Sequence, residues 1–171
     1  MRKETRVTLL SVVISILIAA MAQGALAQPL DAVIEIDATS GSLDSLFGHA
    51  FLCIRFPLTQ GIKEDCYGFY PVASGVGEIS GPGIVNAEPT KDHPDRFSKI
   101  SASVVRAISN QQRRTLLQSI DSWNASRYAL TSHNCIDFID AAARVAGLIT
   151  PDRTTFQLPN EYVAALAVLN P

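Results

Sequence analysis

Two residues in this chain are suited to nucleophilic chemistry, Cys135 and His49. Ser132-His133-Asn134-Cys135 leads directly into the amphipathic run from Ile136 to Gly147, which places the cysteine in the first turn of an expected helix. Free backbone N–H groups and the positive end of the helix dipole favour a thiolate there, the form of sulfur that attacks carbonyl carbon. Gly48-His49 stands 86 residues upstream and supplies an imidazole able to take and return a proton near neutral pH. A thiol hydrolase needs such a pair, an oxyanion site, and usually a third group that orients the imidazole. Cys135 is the expected nucleophile, with its own backbone N–H as an oxyanion donor, and His49 the expected base.

Taken singly, each residue has a plainer explanation. A lone helix cysteine is as a rule a small buried hydrophobe, and a lone strand histidine a satisfied structural residue. The neighbours sharpen the choice. Asn134 reads as the helix N-cap, fixing the thiol's geometry through a backbone hydrogen bond. His133 is a rival base, but adjacent residues rarely aim their side chains at one atom. Asp137 is a first-turn carboxylate that suits the helix dipole and slightly opposes thiolate formation. Gly48 leaves room for a substrate or another backbone to approach closely.

Three cysteines in an exported chain leave one unpaired. Cys53 and Cys66 lie on two successive strand-like runs with twelve residues between them, so a hairpin brings them opposite each other. A Cys53–Cys66 disulfide with Cys135 free follows, contributing about 3 kcal/mol on the chain-entropy model. The three histidines are scattered and the cysteines lack ligand spacing, so neither a metal nor any other cofactor is expected.

The elements that must position these residues read as strands first, then helices. Ala32 to Ile36 is a short strand and Phe47 to Phe56 a stronger one, stopped by Pro57. A polar turn from Leu58 to Glu64 leads to its hairpin partner, Asp65 to Tyr70, ended by Pro71. Val72 to Pro94 is rich in Gly and Pro and reads as a long loop overhanging a cleft. Lys99 to Ile108 is another strand. Ser109 and Gln112 form a capping box before a helix whose apolar face is Leu116, Leu117, Ile120 and Trp123. The cysteine helix runs from about Asn134 to Ala146, with Ile136, Ile139, Ala143 and Ala146 on one face and Gly147 as its stop. Pro159 to Leu169 is a short closing helix. Three or four antiparallel strands with these helices give an α+β domain.

The N-terminus reads as an export signal. Arg2, Lys3 and Arg6 precede an apolar stretch from Val7 to Ala22, and Ala25-Leu26-Ala27 is an A-x-A cleavage site. Cleavage after Ala27 leaves one domain, residues 28–171, periplasmic or secreted and with no stable membrane anchor; a retained anchor fits the short apolar run less well. Of 14 Lys+Arg and 16 Asp+Glu, the leader holds Arg2, Lys3, Arg6 and Glu4, leaving 11 against 15 and a net charge of −4. Such a surface gives no reason to expect nucleic acid or anionic lipid as partner.

Gly48-His49-Ala50-Phe51, Tyr67-Gly68-Phe69-Tyr70-Pro71, and Tyr128 with Asn134-Cys135-Ile136-Asp137-Phe138 together resemble the circularly permuted NlpC-type papain-like hydrolases. That group includes relatives of lecithin:retinol acyltransferase, and in it the histidine strand precedes the cysteine helix, as here. The resemblance spans roughly residues 47–166 and implies a papain-like antiparallel sheet packed on helices. It implies Cys135 as nucleophile and His49 as general base and later general acid. It also implies a third polar residue on the strand after the histidine. That strand offers Glu64, Asp65, Tyr67 or Tyr70, none of them the usual His or Asn, with Asp92 and His93 as outside candidates. For an exported enzyme of this type the expected substrate is the peptide or amide bond of peptidoglycan stem peptides. The alternatives are an acyltransferase or thioesterase acting on lipid or lipoprotein, and a non-catalytic exported binding or inhibitory module.

Overall fold

A computed structural model describes residues 30–41, 47–73, 79–90 and 99–171. The expected leader, residues 1–27, lies outside the described residues, as do Asp92 and His93.

The described chain is α+β. Six strands, β1 (Leu30–Thr39), β2 (His49–Leu58), β3 (Gly61–Pro71), β4 (Ser80–Ala87), β5 (Ile100–Ser109) and β6 (Arg127–Ala129), form one sheet in the order β5-β1-β2-β3-β4-β6. Every pairing in it is antiparallel. The helices are α1 (Asn110–Trp123), α2 (Cys135–Val145) and α3 (Pro159–Leu169). Among the described residues no helix is long and apolar enough to cross a membrane.

The alternation of side chains along a strand divides the sheet into two faces. Ile34, Ile36 and Ala38 of β1 and Ala50, Leu52 and Ile54 of β2 are buried in the main core with Phe138, Ile139 and Ala142 of α2 and Tyr162, Val163 and Leu166 of α3. The intervening residues Phe51 and Cys53 of β2 join Cys66 of β3 in a second, small cluster. Cys53 and Cys66 are register partners across the hairpin and are joined by the expected disulfide, which leaves Cys135 as the free thiol.

Both helix caps follow the sequence. At α1 the Gln112 N–H donates to Ser109 Oγ at 3.3 Å and the Ser109 N–H donates back to the Gln112 side chain at 3.0 Å. Leu116 and Ile120 are buried, with Leu117 and Trp123 packed beside them. The four apolar residues expected on the core face of α2 are all buried, and Gly147 ends the helix with φ of 76°. The Leu148 N–H reaching the Ala143 carbonyl at 2.9 Å completes the C-terminal turn.

Three expectations need correction. Pro57 does not stop β2: beyond Arg55 the strand no longer pairs with β1, and proline is tolerated in the projecting ribbon where only β3 is a partner. The turn therefore shortens to Thr59 and Gln60, and β3 starts at Gly61. The segment read as one long loop contains a strand, β4, whose glycines and proline hide any alternation but whose backbone pairs with β3 from Tyr67↔Ala87 to Pro71↔Gly83. The three-residue β6 is also additional, so the sheet has six strands where three or four were expected.

Candidate active site

β2 and α2 bring His49 and Cys135 together. His49 is the first residue of β2, opposite Thr39 of β1, and its N–H donates to Thr39 Oγ1 at 3.1 Å. The preceding Gly48 has φ of 72°, and a Cβ there would collide with the Thr39 carbonyl. Its role is thus a left-handed turn pressed against another backbone rather than an opening for substrate.

Cys135 is the first residue of α2. Asn134 caps that helix by accepting the Ile136 N–H at 2.8 Å, while the Asn134 N–H donates to Asp137 Oδ2 at 2.9 Å. The Asn134 amide also donates to the Leu130 carbonyl, tying the cap to the preceding turn. These bonds aim the thiol at the start of β2, where it meets the His49 side chain and accepts the backbone N–H of Ala50.

The electrostatics of the pair follow from that contact. Burial pushes the Cys135 thiol up, but the His49 cation, its hydrogen bond and the Ala50 N–H outweigh burial and the nearby Asp137, and the thiol is held below its ordinary value. For His49, burial works against the charged form, yet Cys135 and Glu88 overcome it and raise the imidazole to about 9. Each group thus favours the charged form of the other.

The residue that sequence reasoning missed is Glu88. It follows β4 directly, and its N–H donates to the Cys66 carbonyl at 2.9 Å, which extends the β3–β4 pairing by one step. Its Oε1 stands 3.3 Å from His49 Nε2, at an angle that makes a charge contact rather than an aligned hydrogen bond. The Tyr70 hydroxyl donates to the same oxygen, and its ring stacks on His49 with centroids 4.2 Å apart and planes 21° from parallel. Burial and the Glu88 charge push the Tyr70 hydroxyl far up, so it remains a donor. Gly68 makes the arrangement fit, since a Cβ there would strike both the Glu88 carboxylate and His49 Nε2.

Of the residues offered for the third place, Tyr70 belongs to the site as a contact of both Glu88 and His49. Glu64 instead pairs with Arg55, 3.4 Å from its Nε, and Asp65 with Lys63 at 2.8 Å. Tyr67 packs against the main core. His133, the rival base, lies flat against Trp123 with centroids 4.1 Å apart, and its Nε2 is 3.2 Å from Ser126 Oγ. It is a packing residue. The β4 register was the signal for Glu88: once Ala87 is paired with Tyr67, the next residue falls opposite Cys66, on the face of the sheet that Gly68 and His49 share. With β4 read as loop, that carboxylate had no address.

Neither a family model nor a curated protein matches this chain. Among solved structures, the chain is similar to the crystal structure of the type VI secretion system effector TseH. The TM-score is 0.54 at 18% sequence identity, covering 81% of this chain and 88% of that one. At that identity the likeness shows the fold alone, an antiparallel sheet packed on helices.

Proposed function

We propose that the protein is an exported thiol hydrolase that cleaves amide or peptide bonds, with peptidoglycan stem peptides as substrate. The observation that carries this reading is the contact of Cys135 at a helix N-terminus with a His49 that is itself backed by Glu88. Buried ion pairs with strongly displaced proton affinities concentrate at sites of chemistry.

In this mechanism the Cys135 thiolate attacks the carbonyl carbon and the carbonyl π pair moves onto oxygen. The Cys135 N–H is assigned to that oxyanion; the flanking N–H groups of Asn134 and Ile136 are taken up by the cap. As the C–N bond breaks, His49 gives its proton to the departing amine and a thioester remains on Cys135. The now neutral His49 takes a proton from water, whose oxygen attacks the thioester. Collapse releases the carboxylic acid and restores thiolate and imidazolium. Glu88 holds the imidazole in orientation and favours its charged form, and Tyr70 fixes Glu88.

The substrate class rests on compartment. A leader cleaved after Ala27 and a Cys53–Cys66 disulfide both suit an oxidising space outside the cytoplasm, where the cell wall is the abundant peptide target. A digest of purified muropeptides by wild type, Cys135→Ala and His49→Ala, read by mass spectrometry, tests it. Wild type should release cleaved stem peptides and both variants should be inert while remaining folded; full cleavage by Cys135→Ala sinks the assignment.

A further inference from the structure

Asp137 is awkwardly placed for a thiolate. Its carboxylate lies in the first turn of α2, two residues after Cys135, and its charge opposes ionisation of the thiol. It also belongs to the cap, because it accepts the Asn134 N–H. The same carboxylate is gripped from the segment between α2 and α3 by Arg153, whose Nε is 3.2 Å from Oδ1 and whose second guanidinium contact is 3.3 Å from Oδ2. The two side chains are 20% and 23% exposed, so the pair is shielded more than an open surface bridge of little consequence. The guanidinium lies 5.8 Å from the centroid of the Tyr162 ring, and the Tyr162 hydroxyl donates to Asp140 of α2 at 2.6 Å.

The other groups that bear on the Cys135 sulfur come from three directions. β2 contributes His49 and the Ala50 N–H; behind His49 stand Glu88, after β4, and Tyr70 of β3. Asp137's side-chain polar partners are instead the Asn134 N–H and Arg153, the latter at two points.

We propose that Arg153 is a positioning residue for Cys135: its two-point grip on Asp137 keeps the helix cap closed and cancels the negative charge that the cap places beside the thiol. The chain thereby uses a carboxylate to start the helix without losing the ionised sulfur. This rests on Cys135 being the nucleophile, and its test reads the thiol directly rather than turnover.

The measurement is the rate of iodoacetamide labelling of the full chain against pH, followed by intact mass. With Cys53 and Cys66 joined, the label reports Cys135 alone. Arg153→Gln should move the midpoint of the profile to higher pH by up to about one unit, and slow labelling up to about tenfold at pH values below the wild-type midpoint. Arg153→Lys keeps the charge and loses the fork, and should recover most of that shift. Asp137→Asn should move the midpoint down, and in that background Arg153→Gln should add less than half the upward shift it causes alone. An Arg153→Gln profile superimposable on wild type overturns the proposal, as does an equal shift in both backgrounds. Should Arg153→Gln fail to fold, an upward displacement in Asp137→Asn overturns it independently. These outcomes separate from the hydrolase reading: a wild type that cleaves no muropeptide yet shows the stated shifts loses its assigned substrate and keeps Arg153's role. A wild type that cleaves while Arg153→Gln leaves the profile unmoved does the reverse.

Discussion

At the scale of residues, Cys135 and His49 titrate as one coupled pair rather than as two separate groups. His49 is raised from 6.5 to about 9, so its contribution to stability is complete below about 6.5 and is lost as pH rises through 9. Cys135 is lowered from 9.0, so its contribution is present above 9.0 and is lost as pH falls through its folded value. Between those limits the pair is charged, and the proposed hydrolysis needs both charges, the thiolate to attack and the imidazolium to protonate the amine. The profile of kcat/KM against pH should therefore be a bell whose alkaline limb lies near 9. Glu88→Gln keeps the shape of the side chain and removes its charge. It should pull the alkaline limb to lower pH and reduce kcat by about 10²-fold, in the range typical of general acid–base assistance. An unchanged alkaline limb in that variant would show that Glu88 does not act on His49. Cys135, His49 and the cap Asn134 were legible in the sequence because each depends on local signals, a helix start and a glycine-flanked strand. Glu88 was not, because its part depends on register between strands.

At the scale of elements, the same distinction explains what else could be read in advance. Helix α1 announces itself through a capping box and α2 through its Asn134 cap, each with a 3.6-residue apolar period, and the structure keeps both, adding Asp137 as the second half of the α2 cap. The β2–β3 hairpin was legible from alternation and from the two cysteines facing across it. β4 was hidden since Gly81, Pro82 and Gly83 carry no alternating pattern, and β6 is too short to have one. Strands of that kind are held by their neighbours' backbones rather than by their own side chains: the Gly83 N–H bonds the Ser126 carbonyl and the Pro82 carbonyl accepts the Val72 N–H, each at 2.9 Å. β3 has the most exacting task, because it must present bare backbone at Gly68 under two side chains. Gly68→Ala puts a methyl group against the side-chain ends of His49 and Glu88 and the edge of the Tyr70 ring, rather than against backbone. The fold should survive with a thermal midpoint close to wild type, while displacement of the imidazole by about 1 Å costs on the order of 10²-fold in kcat. Parallel melting curves and kinetics check this, and equal losses in both would assign Gly68 to the fold instead.

At the scale of the whole molecule, the sheet order gathers into one place residues that the chain supplies from four separate elements. β2 lies near the middle of β5-β1-β2-β3-β4-β6, so its first residue, His49, has β1 on one side and the β3–β4 pair on the other, while α2 packs over β2 and β3. The disulfide crosses the two strands that matter most. Cys53 is on the strand that begins with His49, Cys66 is two residues before Gly68, and the Cys66 carbonyl receives the Glu88 N–H. Closing a loop between cysteines 13 residues apart contributes about 3 kcal/mol. For a domain of this size that corresponds to roughly 10 °C in Tm. Replacing the pair, Cys53→Ala with Cys66→Ala, should lower the melting temperature by about that amount, and wild type treated with a phosphine reductant should melt with the double variant. Reduction leaves the Cys135 thiol intact, so well below the new midpoint the protein should retain its site and its labelling by iodoacetamide. Above that midpoint and below the oxidised one it should lose activity reversibly. Melts that do not move on reduction would mean that the antiparallel pairing of β2 with β3 holds the site without its covalent staple.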